Sequence, residues 1–555
     1  MKQTKRKKYL IIIGGLLLLA AIVSGMSTQS FAAGKKRQTK EFTYQVSKGK
    51  VKILTCKGNR KKVVIPAKIK GKKVTAVGGR IFEGCTRLER VSFPKTVTSI
   101  PYQTFKDCKS LKKVTMNSHM KQIGGEAFSG CKNLKSIGNI TLDKVAYSAF
   151  NGCRKLESKI TLSDKCSSVG SFAFADCMKA DIVIPESVKD IEPMAFLNCK
   201  KLKTITIPAG FKKIGVAELG EYNPDTSEFD DEHTSFMRNR IGKNFDMRAY
   251  AGCSNVSKIV VKDTSGALLE ENGVLYNKDK SAVLYVVPAY KGTLDFLKTV
   301  DTIGYYAMSG LNQASITVPD NITDIRDGAF YGAKSSQIHW NKNVKTINSN
   351  IFSYSEVTSL VIPEGVQVLQ EDAISYCKKC KWVSLPSSLT SMEYDGDFGS
   401  VLKGMPALEK VEVAAGNPVY QSKNGLLFKG KNELLRYPAA KKGKTYKVPK
   451  KVRLANYSFD SLKYLKKIEL KQGGKANSSY NFMSNCTGVT VRLPKSFTVF
   501  PSAGHTADFP MFRDCKNCKA LVYKNSKAHK FFKKMCKYGG QYKSMYAYQV
   551  ISGKK

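Results

Sequence analysis

Apolar and polar positions recur along residues 81 to 215 in a fixed order, with a period of 22 to 24 residues. The segments "AFSGCKNLKSIG" from Ala127 and "AFLNCKKLKTITIPAGFKKI" from Ala195 fit the template A-F-x-x-C-x-x-L-x-x-I-x-I-P-x-x-V-x-x-I. Self-similarity at this period is the signature of a stacked repeat fold. The template is recognisable fifteen times, with its phenylalanine position, the anchor, occupied by Phe82, Phe105, Phe128, Phe150, Phe174, Phe196, Tyr250, Met308, Phe330, Phe352, Ile374, Leu402, Phe459, Met483 and Phe512.

Each unit contains one segment, L-x-x-I-x-I-P, whose apolar positions alternate and whose β-branched residues end at proline, which predicts one short strand per coil. A lone coil of this length cannot bury its own apolar face, so successive coils must stack with parallel strands about 4.8 Å apart. The sequence therefore predicts a repeat solenoid. The wider gaps between anchors predict degenerate coils and insertions, and two of them share related segments that begin at Asn272 and Asn424.

Two Cys-x-x-Cys motifs, "SYCKKCKW" and "DCKNCKA", raise the question of zinc or redox chemistry. Ten cysteines occupy one template position, which other coils fill with residues such as Leu311, Ala333 and Met405. That position therefore asks for a small or apolar buried group, and Cys380 and Cys518 stand where the template has leucine. We expect reduced, buried thiols, since parallel Cβ vectors in adjacent coils disfavour disulfides. Metal or redox chemistry stays open as the alternative.

These units resemble the BspA-type leucine-rich repeat surface proteins of bacteria. The resemblance extends to the leader coil "FTYQVSKGKVKILTCKGNRKKVVIPAKIKGKKVTAVG" from Phe42 and to the ending "LVYKNSKAHKFFKKMCKYGGQYKSM". It implies a curved leucine-rich repeat array with a parallel β-sheet on one face and short β/turn or irregular segments on the other. It also implies a secreted, cell-surface protein of a kind often proposed to bind host or neighbouring-cell proteins. No LPxTG tail or separate wall-binding domain is recognisable, so the means of surface retention stays open.

The domain organisation follows from the repeats and from changes in composition. We assign residues 1–32 to a signal peptide cleaved after Ala32, with an uncleaved membrane anchor as the alternative. Residues 216–248 are an acidic insertion that we expect to be a solvated loop, with calcium binding as the less favoured alternative. The other segments are an N-terminal leader and capping coil (33–80), BspA-type repeats (81–215), further repeats with degenerate coils (249–524) and a basic C-terminal cap (525–555).

The chain is strongly basic, with 92 lysines and arginines against 44 acidic residues and a net charge of +48. A positive charge spread along the whole array predicts attraction to anionic polymers or surfaces, although a merely solubilising charge is the alternative. For an exported protein, the expected partners are an extracellular protein or glycan, with an anionic cell-wall polymer or membrane surface engaged by electrostatics. No specific nucleic acid is expected.

The candidate binding face consists of the outward positions of the strands. Trp382 belongs to it because Val383 and Leu385 take the inward positions, which leaves the indole exposed or folded over a neighbouring coil. Trp340 alternates with Ile338 and should point inward. The residues proposed to bind are Trp382, Arg90, Lys113, Lys258, Lys467 and Arg492.

No catalytic motif of the G-x-S-x-G, H-E-x-x-H or phosphate-loop type is recognisable, and the five histidines have no metal or triad spacing. The sequence therefore predicts a non-catalytic binding or adhesion scaffold that needs no cofactor. A structural wall-associated protein without a specific partner is the alternative, and a cell-wall-active enzyme is the least favoured one.

Overall fold

The computed structural model describes residues 35–58, 60–209, 247–262, 264–392, 402–471, 482–497, 512–536 and 547–552. The predicted signal peptide and almost all of the predicted acidic insertion lie outside the described residues. The chain divides into two compact units, Met1–Cys253 (unit 1) and Ser254–Lys555 (unit 2), each of which is a parallel β-solenoid. The predicted solenoid is thus confirmed in both units, whereas the predicted domain boundaries stay predictions.

In unit 1, each complete coil contributes two short strands: the one that the repeat pattern predicts, and a second on the opposite side, where the family resemblance implied short β/turn segments. The first strand follows the template leucine and forms what we call the sheet face. The second strand, which we call the rear strand, contains the last isoleucine of the template, and at most two of its residues pair with each neighbouring coil. The face strands are Lys62–Val64, Arg90–Ser92, Lys113–Thr115, Ile140–Leu142, Lys159–Leu162, Asp181–Val183 and Thr204–Ile207, and the rear strands are Ser99–Ile100, Gln122–Ile123, Lys144–Val145, Ser168–Val169 and Asp190–Ile191.

The N-terminal end of unit 1 is covered by a small mixed sheet, so the first coil does not leave an open edge. Within this sheet, Lys50–Cys56 pairs antiparallel with Phe42–Ser47 and parallel with Lys72–Val77. The apolar residues Tyr44, Val51 and Ile53 are buried beneath it. The remaining strands are Arg37–Gln38 and Lys68–Ile69.

The anchor aromatics of unit 1 form one continuous stack through the core. Neighbouring rings from Phe82 to Tyr250 lie with centroids 5.0 to 5.7 Å apart and planes within 21° of parallel. The ring of Phe128, for example, is fully buried between those of Phe105 and Phe150. This stack explains why the period of the sequence is maintained so strictly, because every coil must place one flat ring directly over the last.

The chain turns a tight corner just after each anchor. The residue two positions beyond the anchor has a left-handed backbone in all fifteen coils, for example Gly130 (φ 74°), Asp176 (φ 60°) and Asn198 (φ 59°). Glycine, aspartate and asparagine tolerate this conformation best. The corner therefore accounts for the frequent glycine, aspartate or asparagine before the template cysteine.

Unit 2 continues the same coil plan with more variation. Its face strands are Lys258–Val261, Ser315–Thr317, Gln337–His339, Ser359–Val361, Trp382–Leu385, Lys410–Val413, Thr445–Val448, Lys467–Leu470, Thr490–Arg492, Lys519–Tyr523 and Tyr548–Ile551. Its rear strands are Thr302–Ile303, Asp324–Ile325, Thr346–Ile347, Val368–Leu369, Ser391–Met392 and Arg453–Leu454, and the late anchors form the strands Phe459–Asp460, Met483–Ser484 and Phe512–Arg513.

The two duplicated segments of unit 2 are antiparallel meanders rather than degenerate coils. Each begins with a hairpin whose turn is Asn272-Gly273 or Asn424-Gly425, with positive φ at both residues. The third strand of each meander then pairs in parallel with the next rear strand. The six strands are Leu268–Glu271, Val274–Asn277, Ala282–Val286, Tyr420–Lys423, Leu426–Lys429 and Glu433–Arg436.

Helical structure is sparse. The α-helix Lys527–Cys536 buries Ala528, Phe532 and Met535 in the last core cluster of unit 2. Two 3-10 turns, Met247–Tyr250 and Asp295–Lys298, complete the helical residues that the structure describes. Among these residues, no helix is long and apolar enough to cross a bilayer.

Candidate binding surfaces

The template cysteines form a second ladder beside the anchors. In unit 1, every template thiol after Cys85 donates to the backbone oxygen of the anchor one coil earlier, as from Cys131 Sγ to Phe105 O (3.0 Å) and from Cys153 Sγ to Phe128 O (3.2 Å). Six consecutive coils share this bond, at 2.8 to 3.3 Å. Burial raises the pKa of Cys131 and Cys153 well above the usual range, and that of Cys108 to about 12. These thiols are structural and poorly nucleophilic.

The first Cys-x-x-Cys motif follows the same plan, whereas in the second the sulfur of Cys515 accepts from Cys486 N at 3.4 Å. Cys377 Sγ donates to Phe352 O at 3.1 Å, and Cys380 Sγ to Trp382 O at 3.2 Å. In the second motif, a hydrogen bond between the thiols of Cys515 and Cys518 raises the pKa of Cys518. All fifteen cysteines are free, and the described residues contain no group of three or more metal-ligating side chains placed to hold an ion. The burial that the packing interpretation predicts is confirmed at every template cysteine except Cys85 and Cys515, which are half-buried.

Three cations lie in register at the start of the sheet face of unit 1. Lys62 pairs directly opposite Arg90, and Arg90 directly opposite Lys113. We call these three residues the cationic row. All three side chains are exposed, and none forms an ion pair with another described residue. The structure thus brings together two of the predicted site residues, Arg90 and Lys113, and adds Lys62, which the sequence analysis did not select.

Trp382 lies on the sheet face of unit 2, half-buried rather than free. Its indole Nε1 donates to Glu412 Oε2 at 2.9 Å, and Lys410 Nζ lies 5.2 Å from the ring centroid. Both partners belong to the next face strand, so the indole folds over a neighbouring coil, one of the two arrangements that the sequence allowed. Trp340 points inward as predicted, with its ring edge-on to Phe330 and Phe352.

The remaining predicted residues lie on the same face but in different surroundings. Lys258 is exposed. Lys467 forms an ion pair with Glu469, two residues further along its own strand, at 2.6 Å. Arg492 pairs directly opposite Glu469 and donates to the Tyr523 hydroxyl at 2.8 Å. Lys467 and Arg492 are therefore both held by partners within unit 2.

A tyrosine ladder runs along the anchor corner of unit 2, and the sequence analysis missed it. The rings of Tyr306, Tyr331, Tyr354 and Tyr376 follow one another with centroids 4.9 to 5.4 Å apart. Tyr354 is 46% exposed. Tyr306, Tyr354 and Tyr376 have left-handed backbones, with φ of 55°, 64° and 60°. For two of its members, Tyr354 and Tyr376, the detectable signal was a tyrosine two residues beyond the anchor, where most other coils carry glycine, aspartate or asparagine.

Comparison with known proteins places this geometry in a family. The chain matches the family model of the BspA type leucine rich repeat region, in six copies, over residues 55–139, 137–240, 292–396 and 441–538. No curated protein matches the chain. Among solved structures, it is similar to a leucine rich cell surface protein from Faecalibacterium prausnitzii A2-165, with 22% identity and a TM-score of 0.49. That similarity covers 69% of this chain and 96% of the other.

The pneumococcal vaccine antigen PcpA is also similar, with 17% identity, a TM-score of 0.30 and coverage of 52% of this chain and 99% of that one. A leucine-rich repeat protein from Eubacterium ventriosum ATCC 27560 shares 18% identity, with a TM-score of 0.29 and coverage of 86% and 93%. The matches to the family model span well over half of the sequence. The chain therefore belongs to the BspA-type leucine-rich repeat family, as its repeats predicted.

Proposed function

We propose that the chain is an exported, non-catalytic leucine-rich repeat scaffold that binds an extracellular protein or glycan at the bacterial surface. The repeat family and the cell-surface description of the F. prausnitzii protein support this location. The signal-peptide pattern of residues 1–32 supports export.

The tyrosine ladder is the observation that carries the binding role. A bulky residue with a left-handed backbone is strained, and strained residues of this kind cluster at functional sites. Glycine occupies the position of Tyr354 in many other coils, including Gly332 in the coil just before, so the fold itself does not require tyrosine there. An exposed aromatic side chain held by stacked neighbours is a typical anchor of an interface, since it loses little conformational entropy on binding.

The test is binding of the mature chain, residues 33–555, to a panel of extracellular proteins and glycans across a salt series. We expect at least one partner whose binding survives high salt and falls about tenfold or more with Tyr354→Gly, a typical loss for an anchor residue. Trp382→Ala tests the predicted sheet-face site in the same assay. Tyr464→Ala is the control, because Tyr464 is exposed (38%) like Tyr354 and, like Trp382, has a lysine near its ring, with Lys463 Nζ 5.1 Å from the centroid.

The outcomes separate the candidate functions. If all binding disappears at high salt and neither aromatic variant changes it, the chain is a wall-associated structural protein without a specific partner. If Tyr464→Ala weakens binding as much as Tyr354→Gly, general surface hydrophobicity accounts for the interaction, and the tyrosine ladder is not the site.

A further inference from the structure

The cationic row differs from other charged positions on the sheet face because nothing on its own strands neutralises it. In the two unit 2 strands that begin at Lys410 and Lys467, a glutamate stands two residues further along and forms an ion pair with the lysine. In unit 1, the corresponding residues are Val64, Ser92 and Thr115, none of which is acidic. Like charges directly opposite one another in a sheet are destabilising. A bound anion would therefore reduce the repulsion among the three side chains of the row.

The surroundings increase the positive potential. The position before each member of the row holds Lys61, Glu89 or Lys112, and the next coil adds Lys135. The single acid, Glu89, is paired with Lys112 at 2.9 Å, and the hydrogen bond from Lys112 together with the surrounding positive charges lowers the pKa of Glu89. The sign of the face then changes further along unit 1, where Asp181 stands opposite Lys159. The positive patch is thus confined to the first four coils.

The shape of the row restricts what can bind it. Parallel strands are about 4.8 Å apart, so the three charges form a straight line about 10 Å long that is one residue wide. An uncharged strip borders it on one side, and Val64 within that strip is 55% exposed. A membrane surface would engage charges spread over an area, whereas a line of charges fits an extended chain. A phosphodiester polymer carries its charge in its own backbone, so it can lay successive anions along such a line. The carboxylates and sulfates of polysaccharides project from the sides of wide sugar rings.

We propose that Lys62, Arg90 and Lys113 bind an extended phosphodiester polymer that runs along the solenoid axis, across the face strands of the first three coils. Lysine contacts phosphate as a point charge, and arginine can contact it with two parallel hydrogen bonds. This proposal rests on the proposed surface location, which would place the chain among anionic wall polymers. It is independent of the tyrosine ladder, which lies in the other unit.

The experiment measures binding of the mature chain to a soluble poly(glycerol phosphate) between about 50 and 200 mM salt. The variant Arg90→Gln/Lys113→Gln should bind about tenfold more weakly at the low-salt end. It should also flatten the slope of log affinity against log salt by about 1.4, because each phosphate contact on a single-stranded polymer contributes roughly 0.7.

The matched control is Arg154→Gln/Lys179→Gln, which also removes one arginine and one lysine charge from unit 1. Both residues are exposed, and they are paired with Asp176 and Glu157. The control should stay within about twofold of the parent chain, since exposed ion pairs contribute little.

Equal losses in the two double variants would overturn the proposal, because net charge alone would then explain binding. An unchanged affinity in Arg90→Gln/Lys113→Gln would overturn it as well.

Vesicles containing phosphatidylglycerol and soluble heparin are the comparison probes. If Arg90→Gln/Lys113→Gln loses more affinity for either of these probes than for the polymer, the partner is a lipid surface or a sulfated glycan and not a phosphodiester chain. Circular dichroism and melting temperature establish that each variant is folded. If the polymer experiment fails but a salt-resistant partner is still found, the proposed function stands and only the role of the cationic row is wrong. If the polymer binds through the row but no salt-resistant partner is found, the role of the row stands and the proposed function is wrong.

Discussion

The anchor corners of the two units differ in what they place inside and outside. In unit 1, the inside is a uniform stack of aromatic rings, and the left-handed position outside is glycine, aspartate or asparagine in every coil. In unit 2, the inside is mixed, with Met308, Ile374 and Leu402 among the anchors, while the left-handed position outside is tyrosine in two successive coils.

This contrast separates what the fold requires from what it permits. Both units bury the anchor almost completely, so the inner position requires an apolar side chain and accepts several shapes. The outer position requires only a left-handed backbone. Unit 1 fills it with the residues that tolerate this backbone best, whereas unit 2 accepts strain there and gains an aromatic row whose most exposed member is Tyr354. The difference is best tested from the inside outward.

Replacement of a ring in the regular stack should have the largest effect. We expect Phe128→Ala to lower the free energy of unfolding by about 3 to 5 kcal/mol and to loosen the neighbouring coils, because it leaves a cavity in a fully buried stack. Phe128→Leu keeps most of the buried volume but removes two ring pairs, so it should cost only about 1 to 2 kcal/mol. Urea denaturation gives the energies, and hydrogen exchange in peptides from residues 105 to 156 gives the location. Equal costs for the two variants would mean that ring stacking dominates and cavity volume does not.

The thiol ladder should show a reversal with pH. At pH 7, Cys131→Ala should cost about 1 kcal/mol, because the variant loses the hydrogen bond to Phe105 O. Burial raises the pKa of Cys131, so above about pH 8.5 the thiol ionises only in the unfolded chain. Stability of the parent chain then falls by roughly 1.4 kcal/mol per pH unit, a loss that the alanine variant does not share. By pH 10, Cys131→Ala should be the more stable protein by about 1 kcal/mol.

The control for this reversal is Cys85→Ala, since Cys85 begins the ladder and is partly exposed. Its cost at neutral pH should be smaller than that of Cys131→Ala. Denaturant unfolding at pH 7, 8.5 and 10 under reducing conditions measures both. A Cys131→Ala variant that stays less stable than the parent at pH 10 would show that the buried thiol ionises as easily as an unfolded one.

The repeat, the parallel sheet and the buried ladders could be predicted from the sequence because each depends on apolar residues that recur at one spacing. The role of the cysteines was predicted only in part. Leu311 and Ala333 at the same position indicated a buried apolar site, but the thiol bond to the preceding anchor crosses coils and has no local pattern. The rear strands could not be derived from the repeat pattern, because two paired residues are too few to show alternation; only the family resemblance implied short β segments on that side.

The meanders could have been found. Asn-Gly between alternating apolar residues is the strongest short-range signal of a hairpin, and it occurs at Asn272 and Asn424. The cationic row could not have been derived without the register, since Lys62 belongs to the atypical first coil. The surroundings of Trp382 depend on Glu412, thirty residues away, which only the stacking of coils brings within hydrogen-bond distance.

In unit 2, the template cysteine position is filled by several residue types. A cysteine introduced there should restore one bond of the thiol ladder seen in unit 1. Ala333 is fully buried at the template position, and the anchor of the preceding coil is Met308. By analogy with unit 1, the thiol of Ala333→Cys would donate to the backbone oxygen of Met308. We expect a gain of about 0.5 to 1 kcal/mol in the free energy of unfolding. Ala333→Val adds volume without a donor and is the control. If the valine variant gains as much in urea denaturation, filled volume and not the thiol bond explains the ladder.

The smallest effect should come from the outer corner, where its sign is informative. Alanine is ordinarily preferred to glycine by about 0.5 to 1 kcal/mol in regular structure, but a left-handed backbone reverses that order. Tyr354→Gly should therefore be more stable than Tyr354→Ala by about 1 kcal/mol and close to the parent chain, since relief of strain offsets the lost stacking. At Tyr331, which has no positive φ, the alanine variant should be the more stable one. Melting temperatures of the four variants decide the question. If glycine were the worse replacement at both positions, Tyr354 would not be strained, and unit 2 would have given up nothing for its aromatic row.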